Sequence, residues 1–275
     1  MPTDNKQFSG LLAPEPGDME ALLESSTSFD ADDALTCSQP ETLLRSPPFE
    51  VRTEQQGRTN SCCGHAMSSV LEWVAYLATG NMLQLSRAYA YRRAQLMTGI
   101  QGDAGAQIRG GVEAAVKWGC PPETVMPWTG QYQPYIVEGA DEAAKPFKIA
   151  SQTPTMDYRT ARAFLGQRIG GILFGMTWEP AHFSGVVPEA NIGNRVGEHA
   201  LAAIALSTKV DGSGQPFIWV LNSHGPESGY KGWFEYSPKA WDGFIRASVH
   251  GAWGLSDMKE LKPRSIDPDK DRMFA

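Results

Sequence analysis

The chain has 275 residues, 41% of them hydrophobic, so it is long enough for one sizeable core plus extensions. Its net charge of −7 argues against nucleic acid as partner, and no apolar run approaches the roughly 18 residues of a membrane span. Four cysteines, at 37, 62, 63 and 120, make no convincing disulfide framework, and the N-terminus lacks a signal-peptide pattern; together these suggest a reducing, cytoplasmic-type setting.

Residues 1–50 carry the acidity. Ten Asp or Glu against Lys6 and Arg45 give −8, which leaves +1 for the rest of the chain. Rich in Pro, Ser and Thr, this arm cannot bury enough surface to fold alone. Leu11, Leu12, Met19, Leu22, Leu23, Leu43 and Leu44 are its means of docking on something. Because the body is nearly neutral, the expectation is an assembly segment, paired with a copy of the chain or another partner, that lies away from any active-site cleft.

The body is expected over residues 51–255. Between Gln55 and Ala78 a polar loop runs into two cysteines and then into apolar residues spaced by three and four, Met67, Val70, Leu71, Val74 and Leu77, so a helix begins near Cys62. Free N–H groups and the positive end of the helix dipole there favour a thiolate. Residues 86–97, with Ser86 as cap, and 106–118 read as two more helices. Gly110 and Gly111 weaken the latter and suggest close approach of another backbone. A loop over 128–155 and a helix over 157–169 follow, and then strands over 171–178, 199–208, 217–223, 232–237 and 244–255. The turn Val210 to Gly214 joins two of them as a hairpin. A helical half (about 51–128) and a β-rich half (about 156–255) make the fold class α+β, with a charged tail over 256–275.

A lone cysteine is usually core filling. Cys62, however, has Gln56 six residues before it, His199 at 137 residues beyond it and Asn222 at 160. That set supplies what acyl transfer needs: a nucleophile, a proton carrier, a group to orient the carrier and an oxyanion donor. Asn222 orients without adding charge, which suits a thiolate–imidazolium pair.

These residues sit in stretches that resemble the papain-like cysteine peptidases. QGRTNSC (56–62) resembles that family's Gln-Gly loop leading to the nucleophile, GEHA (197–200) its Gly-x-His-Ala strand, and NSHG (222–225) its Asn-Ser-Trp-Gly. The resemblance implies a two-part fold with a cleft between the halves, Cys62 as nucleophile, His199 as base, and Asn222 and Gln56 in support. It also implies a protein or peptide substrate and no cofactor or metal. Secreted members carry a bridged cysteine shortly before the nucleophile, and Gly57 to Ser61 contain none. Where the family has Trp after Asn-Ser this chain has His224, a smaller shield for the His–Asn bond. The family's Gly-Gly substrate wall has no recognisable counterpart, so side-chain preference is not inherited. Cys63 is rotated about 100° from Cys62 on a helix and faces away, and His65, along the same helix, reads as core. Adjacent cysteines suit zinc poorly. The alternative function is a papain-fold structural or interaction protein in a large assembly such as a virus particle.

Overall fold

The computed structural model describes residues 10–36, 40–189, 195–246, 248–258 and 260–261. Helix α3 (Cys62–Thr79) is its axis. Ser61 sits at its N-cap and Gly80 closes it by donating its N–H to Tyr76. Fourteen of its eighteen residues are buried, because α4 (Arg87–Met97) and α5 (Ile108–Lys117) cover one side and a sheet covers the other. Ser86 caps α4 by accepting from the Tyr89 N–H, as its position suggested. The glycines of α5 also have their expected use, since a Cβ at Gly110 would collide with the Ala94 carbonyl of α4.

The sheet comprises β2 (Ile149–Pro154), β3 (Gly170–Trp178), β4 (Gly197–Val210), β5 (Pro216–Leu221), β6 (Trp233–Tyr236) and β7 (Ala252–Met258). Its order is β2-β7-β3-β4-β5-β6, antiparallel throughout, and β1 (Leu43–Leu44) adds in parallel beside β4. One apolar cluster lies between the sheet and α3 to α5. The other lies on the opposite face under α7 (Tyr158–Gly166) and α9 (Pro238–Trp241). The fold is α+β, with a helical half facing a β-rich half.

Two stretches depart from expectation. Ile149–Pro154 falls in the expected loop yet pairs with β7. It is a terminal strand of the sheet, and an edge tolerates a proline that cannot donate to the ladder. The strand expected over 244–255 begins only at Ala252. Asp242–Arg246 instead form a π-helical turn that continues α9, burying Phe244 and Ile245 against the outer face of the sheet.

The arm lies on its own body. Asp18 of α1 (Asp18–Glu24) pairs with Arg109, Asp32 of α2 (Ala31–Thr36) with Arg159, and Glu41 with Arg162 through two bonds of 2.8 and 2.6 Å. Leu22 is buried, and Gln152 binds the Ser25 carbonyl and hydroxyl. A body charge near zero thus conceals local arginines that match carboxylates of the arm's described part.

The polar interior holds one ion pair that the helical half depends on. Glu72 of α3 and Arg87 of α4, each about 1% exposed, meet at 2.6 and 3.1 Å, and the Leu85 N–H donates to Glu72 at 2.8 Å. Removing Glu72 leaves the buried Arg87 guanidinium with the Leu85 carbonyl and the more distant Glu54 at 3.6 Å, and loss of one partner of a buried pair costs roughly 3–5 kcal/mol. Glu72→Ala is therefore expected to lower the urea midpoint by an amount equivalent to that loss; a change under about 1 kcal/mol would contradict the assignment.

Candidate active site

Cys62 is the first residue of α3 and fully buried. The backbone N–H groups of Cys62, Cys63 and Ala200 approach its thiol, the last placing β4 directly at the sulfur. His199 precedes Ala200 on that strand, opposite Met176 of β3. Its Nε2 lies 2.8 Å from Asn222 Oδ1, and Asn222 follows immediately after β5. The Asn222 amide is oriented by donating through Nδ2 to Ser228 Oγ at 3.1 Å, so Oδ1 faces the ring and also accepts the Ser223 N–H at 2.8 Å. The His199 proton therefore resides on Nε2, leaving Nδ1 as the basic nitrogen.

Gln56 is buried and tied to the same turn. Its N–H donates to the Ser223 carbonyl at 2.8 Å, and its Oε1 accepts from Ser223 Oγ at 2.6 Å. Nε2 donates to the Thr59 carbonyl at 2.9 Å, which leaves its second hydrogen for another acceptor. Sequence spacing thus brings Cys62, His199, Asn222 and Gln56 into one polar seam between the two halves.

The neighbours of Cys62 behave as the helix geometry requires. The Cys63 thiol turns toward α5, donating to the Gln107 carbonyl at 3.4 Å. His65 Nδ1 lies 3.1 Å from the Ser61 carbonyl, and its ring meets Trp128 edge-on at 4.9 Å.

His224 stacks on His199 with ring centroids 4.5 Å apart and so covers the His–Asn pair from one side. The second cover is Trp178, whose ring stands edge-on to His199 at 4.7 Å and to His224 at 5.5 Å. Sequence reasoning missed Trp178. The register that carries it, Trp178 opposite Gly197 and Met176 opposite His199, places it on the histidine's face of the sheet, and only pairing reveals that.

The arm completes the enclosure. Ala106 donates to the Gly10 carbonyl at 3.1 Å and accepts from the Leu12 N–H at 2.9 Å, while Gln107 Nε2 holds the Ala13 carbonyl at 2.8 Å. Gly10 passes so close that a Cβ there would stand 3.0 Å from both Cys62 Sγ and the Asn60 carbonyl. Leu11 is buried against Gly175 and His250. The expectation that the arm lies away from the cleft is therefore corrected. Backbone hydrogen bonds and one leucine, rather than net charge, decide its path.

Enclosure sets the electrostatics. Burial pushes the Cys62 thiol up to about 12, outweighing the three backbone N–H groups, so the helix N-terminus does not ionise it while the arm is in place. Burial also holds His199 well below its ordinary value, with His224 adding to the effect and Asn222 opposing it. His182 and His224 are lowered to about 4 and His65 to about 3, again chiefly by burial. The unfolded chain binds these protons at higher pH than the folded one, so stability is present above about pH 6.5 and lost as pH falls toward 4. Urea unfolding at pH 7.5 and 4.5 should show a loss on the order of 1 kcal/mol or more at the lower pH, reduced in the His182→Gln/His224→Gln double variant; equal midpoints would contradict this.

No family model matches the chain, and no curated protein sequence does. Solved structures do. Xylellain, a cysteine protease from Xylella fastidiosa, superposes with a TM-score of 0.70 at 17% identity, covering 94% of this chain and 99% of that one. Digestive procathepsin L 3 of Tenebrio molitor larval midgut gives 0.68 at 13% identity, over 92% of this chain and 78% of that one. ProCathepsin B S9 from Trypanosoma congolense gives 0.64 at 12% identity, over 93% and 90%. With sequence identity this low and the architecture shared over nearly its whole length, the chain has the papain-like fold in a divergent form.

Proposed function

We propose that the protein is a papain-type thiol hydrolase acting on peptide amide bonds, held latent by its own arm. The observation that carries this reading is the placement of Cys62 at a helix start, against the strand that bears the His199–Asn222 pair, with Gly10 lying on its sulfur. A nucleophile, an oriented base and a covering segment occupy one seam.

With the arm displaced, water and substrate reach the thiol and the desolvation that suppresses ionisation falls. Cys62 passes its proton to His199 Nδ1, and the thiolate attacks the amide carbonyl. The second Gln56 Nε2 hydrogen and the Cys62 N–H are the donors available to the developing oxyanion. The imidazolium, held by Asn222 Oδ1, gives its proton to the leaving amine. Water activated by the same ring then hydrolyses the thioester.

Leu11→Asp and Gly10→Val in the full chain, and truncation of residues 1–36, are expected to raise hydrolysis of a fluorogenic peptide amide by at least about tenfold. Truncation at 36 leaves β1 and Glu41 in the body. In the released background Cys62→Ala should abolish turnover and Cys63→Ala should retain most of it. Folded, released variants that neither turn over any peptide nor react at Cys62 would favour the interaction-protein alternative.

A further inference from the structure

A cavity of about 400 Å³ opens between the segment 42–50 and the second half of α3. Trp73, which lines it, stands eleven residues beyond Cys62 on that helix, about 16 Å along the axis at ~1.5 Å per residue. The cavity is therefore separate from the cleft.

Most of its wall is apolar. Leu43, Pro47, Pro48 and Leu165 face the rings of Trp73 and Tyr76, which stack at 5.5 Å. Against this wall stand two cations, Arg45 and Arg168. Several arginines elsewhere on the body hold carboxylates: Arg87 has Glu72, Arg109 has Asp18 and Arg162 has Glu41. Arg45 and Arg168 hold none among the described residues, and the Tyr76 hydroxyl makes no hydrogen bond among them either. Arg168 has its guanidinium 5.8 Å from the Trp73 ring. Its backbone φ of 52° is uncommon for a residue with a side chain, so the turn after α7 holds it in a conformation that arginine does not favour. The single carboxylate among the lining residues, Glu50, is exposed.

An apolar pocket of ordinary ligand size with a few polar groups is the usual form of a small-molecule site. A planar guanidinium that holds no carboxylate, over an aromatic platform, selects one that it can bind with two parallel hydrogen bonds. We infer that this cavity binds a small amphipathic carboxylic acid, its apolar body against Trp73 and Leu165 and its carboxylate on Arg168. The Tyr76 hydroxyl supplies a further donor. The inference is independent of the catalytic reading.

The test is calorimetric titration of the full chain with decanoate, alongside decan-1-ol as the same chain length without the charge. Decanoate is expected to saturate one site per chain and to bind more tightly than the alcohol. Arg168→Gln, at a partly exposed position, should leave the melting temperature unchanged and weaken decanoate at least about tenfold, as loss of a charged hydrogen-bonding group does. Leu165→Trp, which fills the cavity, should abolish binding, with circular dichroism to verify its fold. Absence of decanoate binding, equal affinity for decan-1-ol, or undiminished binding by either folded variant would overturn the proposal.

Discussion

Ser223 is where the two halves of the molecule are tied together. Its carbonyl accepts the Gln56 N–H, its hydroxyl donates to Gln56 Oε1, and its N–H donates to Asn222 Oδ1. The loop that delivers Cys62 and the strand end that orients His199 are therefore registered through one residue. Neither the amide orientation of Gln56 nor that of Asn222 is left to chance, because each oxygen has a donor that a flipped amide would lose. A shift of this turn would displace Gln56 and the His199–Asn222 pair together, which on the proposed reading are the oxyanion donor and the oriented base.

Around that seam the controlling quantity is access to water. Helix dipole and backbone N–H groups favour a thiolate at Cys62, and burial opposes them more strongly while Gly10 and Leu11 are seated. His199 is enclosed by Trp178 and His224, which keeps it neutral as well. Two neutral partners in a dry site are an inert pair. On the proposed catalytic reading, wetting the site is what would turn this inert pair into a reactive one.

Much of this was legible because it is local. Cys62 with Gln56, the Ser86 cap and the His199 strand each lie in short stretches whose residue types state their chemistry. What escaped depends on pairing between distant segments. Trp178 reaches His199 only through the β3–β4 register, and the arm's carboxylates find arginines 91 to 127 positions away, Asp18 with Arg109 and Asp32 with Arg159. Whole-body charge is an average that erases such clusters. The turn over Asp242–Arg246 was misread for a different reason: its apolar residues suit a strand, but only helical winding presents both Phe244 and Ile245 to the outer sheet face.

Proton release from Cys62 itself is the most direct probe of this account, followed by the rate of alkylation at that residue against pH, resolved by peptide mass spectrometry. In the intact chain reaction at Cys62 should stay negligible from pH 5 to 9, matching a thiol pushed up to about 12, and in the arm-displaced chain a reactive plateau should appear near neutrality. Rapid alkylation of Cys62 across neutral pH in the intact chain would contradict the claim that the arm keeps the nucleophile protonated.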